Sequence, residues 1–292
     1  MTPSQVADEF RTARFVEHEH GRVCWRKAGD GPAVVLLHGF PLSGLTWRRV
    51  VASLADRFTC WAPDLVGLGE TTSTRPEDFS SPGQARLLQQ ALAALGVTSY
   101  ALVGNDTGGW IARELALLET RRVTHLALTN TEIPGHRPPW IPFYQRVVGL
   151  PGIALVFRRI LASRAMRRSP MGFGGCFDDL ASIDGEFFEL FVAPILRSPA
   201  RIASLITFLR QMRFTRLDRF RELHAQLVMP VGFIWGAADP TFPEPLARAM
   251  ASQFPNVVGF WSIPRGKLFV QEEQPETVAR LLGELLAPAR AR

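Results

Sequence analysis

Cysteine and lysine are scarce in this chain of 292 residues, and the shortage of each narrows what the protein can be. The three cysteines, Cys24, Cys60 and Cys176, are odd in number and show no C-x-x-C spacing. Neither a disulfide framework nor a zinc site is therefore indicated, and we expect a reducing, cytoplasmic location. Lys27 and Lys267 are the only lysines, so the net charge of +6 comes almost wholly from arginine.

The positive charge is not accompanied by the features of a nucleic-acid-binding protein. The sequence contains no basic run with interleaved aromatic residues, which predicts a solvated arginine surface with at most a weak attraction to acidic partners. The apolar stretch at 147–161 is interrupted by glycine, proline and arginine, so we expect no membrane span. The first residues do not resemble a signal peptide. The expected partner is a small molecule, and the sequence does not indicate an oligomeric state.

What is present is an alternation of strand and helix patterns. Apolar runs near 33–37, 58–62, 100–105, 123–129, 231–235 and 257–263 alternate with helical patterns near 45–55, 84–95, 107–118, 245–253 and 276–286. The segment 15–27 reads as an antiparallel edge hairpin. The alternation predicts an α/β fold with a mainly parallel sheet, helices on both faces and active residues at the carboxyl ends of the strands.

One long segment departs from this alternation. Residues 134–223 read as short apolar helices separated by proline and glycine, which predicts a helical cap that walls a small-molecule pocket. We therefore expect a first core part at 1–133, the cap at 134–223 and a second core part at 224–292. A composition of 47% hydrophobic and 21% charged residues suits one large globular domain with such an insertion.

A sharp turn bounded by glycine follows the apolar run that begins at Tyr100. Written Gly-Asn-Asp-Thr-Gly, it matches the G-x-S-x-G nucleophile elbow with Asp106 in the serine position. A carboxylate displayed on such a turn indicates attack on saturated carbon and an alkyl ester intermediate. On its own, Asp106 could equally be the N-cap of the helix that follows.

Two other motifs stand in order around this elbow. His38-Gly-Phe40-Pro follows an earlier strand, and Trp-Gly-Ala-Ala-Asp239-Pro follows a strand beyond the helical segment. The loop after the strand at 58–62 carries two glycines, but G-x-G-x-x-G is incomplete, so we expect no nucleotide or other cofactor. Asp64 in this loop is expected to be structural, and His38 to be a buried support.

The ordered set of motifs, with a helical cap between them, resembles the α/β-hydrolase superfamily over roughly residues 15–287. The aspartate elbow resembles its haloalkane dehalogenase and epoxide hydrolase branch. The resemblance implies that Asp106 is the nucleophile and that the backbone N–H groups of Phe40 and Thr107 form the oxyanion hole. It implies further that Asp239 orients a catalytic histidine, with Glu132 as a second candidate for that acid. Either carboxylate could instead be a loop-capping residue.

The position expected for the catalytic histidine holds Leu268, in the stretch Arg-Gly-Lys267-Leu-Phe-Val-Gln-Glu. None of the six histidines lies in the last strand-loop-helix unit. Leucine cannot accept a proton, so we expect an ester on Asp106 to form but to be hydrolysed slowly. Lys267 and His136 are possible substitutes for the base; His136 could instead be a structural loop residue and Lys267 an ion-pairing or solvated one.

The set of residues that would bind a leaving group in these two enzyme classes is also incomplete in this chain. Haloalkane dehalogenases tend to carry tryptophan after the nucleophile and asparagine at the oxyanion loop, where this chain has Thr107 and Phe40. Epoxide hydrolases use cap tyrosines, and Tyr144 is the only tyrosine in the cap. We expect Tyr144, Trp110, Trp140 and His136 to contact substrate, although aromatic side chains are more often plain packing.

Two functions remain open from the sequence. The first is a hydrolase that attacks an epoxide, an alkyl halide or a related small apolar substrate through Asp106, impaired or altered by the loss of histidine. The second is a protein of the same fold without ester hydrolysis, either a lyase or isomerase or a small-molecule binding protein that uses the capped pocket.

Overall fold

The computed structural model describes residues 3–138 and 140–287, and the side chain of Trp140, an expected pocket residue, lies outside this description. Its described strands form one nine-stranded sheet in the order β1-β2-β4-β3-β6-β7-β8-β9, with β5 paired to β2. Strands β1, β2 and β5 are antiparallel to their neighbours, and the remaining pairs are parallel. The strands are β1 (Arg14–His18), β2 (Gly21–Ala28), β3 (Ala33–Leu37), β4 (Thr59–Pro63), β5 (Thr72–Ser73), β6 (Tyr100–Asn105), β7 (Val123–Thr129), β8 (Val231–Gly236) and β9 (Val257–Ile263).

Helices cover both faces of the sheet because its central strands are apolar on both sides. In β3, Val34 and Leu36 join one hydrophobic cluster, while Val35 and Leu37 join the other. The first cluster is covered by the helices α1 (Pro3–Arg11), α2 (Arg48–Leu54) and α14 (Pro275–Leu285). The second is covered by α3 (Ser81–Ala94), α4 (Thr107–Leu118) and α12 (Glu244–Ala251). The prediction of a mainly parallel sheet with helices on both faces is confirmed.

A helical segment connects β7 to β8, where the sequence predicted a cap. It contains α5 (Trp140–Val147), α6 (Ile153–Ala162), α7 (Arg164–Arg167), α8 (Ala193–Leu196), α9 (Pro199–Gln211), α10 (Phe214–Asp218) and α11 (Phe220–Leu223). No single helix in the described part of the chain is long and apolar enough to cross a bilayer. The segments Leu180–Leu196 and Pro199–Gln211 reach that length and composition only together, and they meet at 93°. The exact domain boundaries stay a prediction.

Some elements differ from the expectation. The helix expected at 45–55 begins as a 3-10 turn, Gly44–Trp47, before α2. A short helix, α13 (Val270–Glu273), lies between β9 and α14, and α1 was not expected. These short elements have too few turns to show a helical period in the sequence, so pattern analysis could not identify them.

Candidate active site

Asp106 lies at the tip of the turn between β6 and α4, with φ of 50° and ψ of −132°. A non-glycine residue in this region of the φ/ψ map is strained, and such strain is typical of functional sites. The turn can close because a Cβ on Gly104 would collide with the backbone of Gly108 and Gly109, and one on Gly109 with Thr131. The glycines therefore hold the Asp106 backbone at the carboxyl edge of the sheet, and its side chain is only 8% exposed.

The loop after β3 holds one oxygen of this carboxylate. The backbone N–H of Phe40 donates to Oδ2 of Asp106 at 2.8 Å, and the Thr107 N–H also bonds the carboxylate. A Cβ on Gly39 would lie 2.5 Å from Cβ of Asp106, so only glycine permits this approach. The Thr107 hydroxyl also lies 3.4 Å from Oδ2. The carboxylate is therefore held in place by the loop after β3 and by Thr107 of the elbow itself.

A second buried carboxyl group, Glu132, lies beside the first. The Thr131 hydroxyl has a single proton and is 2.8 Å from the Asp106 carbonyl oxygen, which can only accept. The same hydroxyl is 3.0 Å from Oε2 of Glu132, which can also accept its proton, and Arg113 donates to the Thr131 oxygen at 3.3 Å. The single Thr131 proton is therefore shared between the Asp106 carbonyl oxygen and the Glu132 carboxyl group, which Thr107 and the Glu132 backbone N–H also contact.

Burial dominates the electrostatics of both groups. Burial raises the pKa of Glu132, against the opposing effects of its own backbone N–H and of the charge of Arg113. Burial and the neighbouring charge of Glu132 raise the pKa of Asp106, whereas the N–H groups of Phe40 and Thr107 lower it. Amide donors reach both groups, and the two carboxyl groups titrate as a pair.

Asp239 lies behind the cavity wall, in the loop after β8. Its Oδ2 accepts from Asn130 at 2.9 Å and its Oδ1 from the backbone N–H of Thr241 at 2.8 Å. Burial raises its pKa to about 6, and these donors oppose the rise. It is close enough to Asp106 to raise the pKa of that carboxyl, but it is not among the described residues that line the cavity.

Leu268, predicted to stand where a catalytic histidine would be, lines the cavity, and its backbone carbonyl accepts from Asn105 at 2.9 Å. No histidine is found among the cavity-lining residues of the described chain. His136 instead bonds the carbonyl oxygen of Thr241 at 2.8 Å and is not brought to Asp106. Its role in substrate binding stays a prediction.

Two other histidines are buried in the core and hold backbone or side-chain partners. His38 donates from Nδ1 to the Gly39 carbonyl and accepts at Nε2 from the Leu65 N–H, as expected for a support. Burial lowers its pKa to about 4. His224 is stacked on Phe254 with ring centroids 4.0 Å apart, and burial lowers its pKa to about 3. Both rings are therefore neutral at neutral pH.

The remaining candidates for a base are engaged elsewhere or lack basicity. Nζ of Lys267 donates to the Phe177 carbonyl at 3.0 Å, and its backbone N–H donates to Glu273. Cys176, which sequence reasoning did not single out for this site, lines the cavity. Burial and the charges of Asp239 and Asp106 raise its pKa, so the thiol stays protonated. A single cysteine in a glycine-rich loop matches no known motif, so its position in the cavity wall could not be predicted from the sequence.

One group of acidic and thiol side chains lies close enough to share an ion: Cys24, Asp64 and Glu70. Arg26 already occupies this group, donating to Asp64 at 2.8 Å and to Glu70 at 3.0 Å. Asp64 also accepts from the backbone N–H groups of Gly44 and Glu70. It ties down loop backbone, as the sequence predicted.

The cavity above Asp106 has a volume of about 430 Å³ and is mainly apolar. Thr107, Glu132 and Leu268 line it beside Asp106, and Trp110 and Tyr144 line it as expected. The Tyr144 hydroxyl donates to the Met171 carbonyl at 2.6 Å. Phe40 stacks on Phe208 of α9, with ring centroids 5.5 Å apart. Core loops and the helical segment thus enclose one cavity, and the catalytic roles assigned to these residues stay predictions.

Comparison with known proteins agrees with this architecture. Residues 32–173 match the family described as alpha/beta hydrolase fold. The chain is 27% identical over 290 residues to haloalkane dehalogenase 2 of Mycobacterium tuberculosis, covering 97% of this chain and 98% of the relative. It is 24% identical over 269 residues to epoxide hydrolase 3 of Xenopus tropicalis, covering 89% and 73%.

Two further similarities concern a shorter region and the overall fold. A stretch of 125 residues is 37% identical to a cis-3-alkyl-4-alkyloxetan-2-one decarboxylase of Xanthomonas campestris, covering 38% of this chain and 41% of that protein. An alpha/beta hydrolase fold protein from Burkholderia ambifaria superposes with a TM-score of 0.78 at 24% identity, covering 93% and 97%. The latter likeness concerns the fold alone.

Proposed function

We propose that this chain, which has the α/β-hydrolase fold and has haloalkane dehalogenases and epoxide hydrolases among its relatives, attacks a small apolar electrophile through Asp106. The electrophile is an epoxide or an alkyl halide. The observation that carries the proposal is the Asp106 carboxylate on a strained turn beneath an apolar cavity, with Oδ2 held by the Phe40 amide proton. A surface or purely capping aspartate would need no such cavity or donors.

In the proposed first step, Oδ1 of Asp106 forms a bond to the substrate carbon. The carbon–halogen bond or one ring carbon–oxygen bond breaks, and its electron pair leaves with the halide or the ring oxygen. The apolar walls raise the nucleophilicity of the carboxylate by excluding water. A ring oxygen also needs a proton, and we propose that Glu132, whose pKa is raised by burial, supplies it from its carboxyl group.

In the second step, water attacks Cγ of the ester and the developing negative charge falls on Oδ2. The Phe40 N–H already donates to this atom and the Thr107 N–H bonds the same carboxylate, so the developing oxyanion has donors close by. The water lacks an imidazole base, because Leu268 replaces histidine. The ester from an alkyl halide should therefore be long-lived. Opening of an epoxide would leave Glu132 ionised, and this carboxylate can then accept the proton of the water.

A second function is a reaction without ester hydrolysis. It is favoured by the absence of histidine from the described cavity lining and by the similarity of a shorter region to a decarboxylase. The same Asp106 could open a strained ring whose later fragmentation needs no activated water. A binding protein is the remaining alternative.

Intact-protein mass spectrometry tests these functions. Wild type and Asp106→Asn, which keeps the size of the side chain and removes its charge, are incubated with a terminal aryl epoxide and a primary bromoalkane. We expect an adduct with the bromoalkane in wild type alone, and diol formation with the epoxide. Equal adducts in both proteins would contradict attack by Asp106. No adduct and no product, with reversible ligand binding, would favour the binding protein.

A further inference from the structure

The stretch between Glu132 and Asp178 is basic and contains no acidic residue. It covers the start of the helical segment, including α5, α6 and α7. Its charged residues are all arginines: Arg137, Arg146, Arg158, Arg159, Arg164, Arg167 and Arg168. One contiguous part of the chain therefore carries more positive charge than the net charge of the whole protein.

Part of this charge is neutralised within the protein. Arg137 pairs with Asp218 at 2.7 Å, and Arg164, Arg167 and Arg168 converge on Asp184. Arg146, Arg158 and Arg159 are exposed and have no ion-pair partner within the described residues. These three guanidinium groups are available to an external anionic partner.

The same helices expose large apolar side chains. Phe143 on α5 is 50% exposed, and Leu155 and Val156 on α6 are 51% and 47% exposed. Leu150 in the connection between the helices is 55% exposed. Half-exposed large apolar residues that cluster on neighbouring helices mark an interaction surface rather than random surface composition.

The apolar and basic groups share the outward faces of the two helices. On α6, Ile160 and Leu161 are buried, and Leu155 lies on the opposite side between Arg158 and Arg159 at helical spacing. On α5, Phe143 and Arg146 are three residues apart and therefore neighbours. Long arginine side chains beside apolar ones are typical of helices that lie in a membrane interface.

This surface is continuous with the cavity. Phe143 packs on Tyr144 with ring centroids 5.8 Å apart, and Tyr144 packs on Phe157 at 5.7 Å. Both Tyr144 and Phe157 line the cavity above Asp106. An apolar ligand dissolved in a bilayer would meet aromatic side chains from the surface to the cavity.

We propose that the outward face of α5 and α6 docks on the surface of an anionic lipid bilayer. The α5–α6 face is defined by Phe143, Arg146, Leu150, Leu155, Val156, Arg158 and Arg159. Its arginines contact lipid phosphates and its apolar side chains enter the membrane interface. This docking would place the protein at a membrane, and the proposal does not depend on the chemistry proposed for Asp106. The bilayer is favoured over an acidic protein because exposed apolar and basic groups are interspersed on these helices, and the amide of the exposed Gln145 on α5 is already engaged with the Met212 carbonyl oxygen.

Vesicle co-sedimentation of the full chain tests this proposal. We expect binding to vesicles of equal parts phosphatidylcholine and phosphatidylglycerol, little binding to phosphatidylcholine alone, and weaker binding as salt rises. Arg158→Glu should weaken binding about tenfold or more. Arg121→Glu is the matched control, because Arg121 is exposed at the opposite edge of the sheet, before β7, and the charge change is the same. Circular dichroism checks that both variants fold.

Leu155→Ser separates apolar insertion from charge attraction. We expect this variant to bind anionic vesicles at low salt but to lose binding at physiological salt, where apolar burial must contribute. Absence of wild-type binding to the anionic vesicles would overturn the proposal. So would equal losses in Arg158→Glu and Arg121→Glu, and retention on immobilised polyglutamate without vesicle binding would point to an acidic protein instead.

Discussion

The floor and the roof of the cavity are built on different principles. The floor comes from loops at the carboxyl edge of the sheet, where Asp106, Phe40 and Thr107 are fixed by backbone hydrogen bonds and close glycine contacts. The roof comes from the helical segment and is held mainly by apolar packing, with exposed arginines outside. Under the proposed function, the chemistry would depend on backbone placement in the floor, whereas substrate choice and membrane docking would depend on side chains of the roof.

The substitution with the largest expected effect tests whether a general base is the only group that the cavity floor lacks for ester hydrolysis. Leu268→His places an imidazole on the cavity wall, and it should speed hydrolysis of the Asp106 ester by about 10² to 10⁴. Leu268→Asn is the matched control, because it has nearly the size of leucine but no base. Rapid-quench mass spectrometry measures the decay of the adduct. Equal decay in both variants, with the fold retained, would contradict the account.

The next prediction contrasts a glycine of the floor with one of the roof. In Gly39→Ala the new Cβ would lie 2.5 Å from Cβ of Asp106, so the carboxylate must move. Displacement of a reacting group by about 1 Å can cost about 10² in rate, and we expect that loss in adduct formation.

Gly175→Ala is the roof counterpart of this substitution. A Cβ there would approach Pro240 no closer than 3.6 Å, which is ordinary contact. We therefore expect adduct formation close to that of wild type. Similar losses of adduct-formation rate in Gly39→Ala and Gly175→Ala would show that floor and roof are equally constrained, which would contradict the difference between them.

The floor and roof also differ in how much the sequence could tell. The elbow at Asp106 and the loops at Phe40 and Asp239 were identifiable because they impose glycine and small residues at fixed spacing. The raised pKa of Glu132 follows from burial that exists only in the folded chain, where Arg113 also reaches the Glu132 backbone carbonyl. Helix packing decides how far His136 lies from Asp106 and whether Cys176 lines the cavity. No short sequence pattern encodes this packing, so neither position could be predicted.

A third prediction concerns the neutral imidazole that supports the floor. Burial lowers the pKa of His38 from 6.5 to about 4, so the unfolded state binds the proton first as pH falls. The neutral ring therefore contributes roughly 3 kcal/mol to the free energy of unfolding above pH 6.5, and this contribution is lost as the pH falls toward 4.

Urea titrations of wild type and His38→Gln at several pH values measure this difference. The variant should be less stable at neutral pH and should lose stability more slowly on acidification. The raised pKa values of Asp239 and Glu132 act in the opposite direction, but they are common to both proteins. If the unfolding free energies of the two proteins changed in parallel with pH, His38 would not be the group whose pKa is lowered by folding.

The smallest expected effect lies in the roof. Tyr144→Phe removes the hydrogen bond to the Met171 carbonyl, which should cost about 1 kcal/mol of unfolding free energy. Attack on a bromoalkane should change little, because the hydroxyl proton points away to backbone. A large loss with the epoxide alone would show that Tyr144, rather than Glu132, protonates the ring oxygen.

Heavy-oxygen labelling tests the central claim most directly. The protein is incubated with less than one equivalent of a terminal epoxide in oxygen-labelled water, and the peptide that contains Asp106 is weighed after digestion. The account predicts that this peptide first carries the substrate mass and, as diol is released, retains one heavy oxygen in the Asp106 carboxylate. Diol that carries the heavy oxygen itself, with an unlabelled Asp106, would contradict attack by this carboxylate.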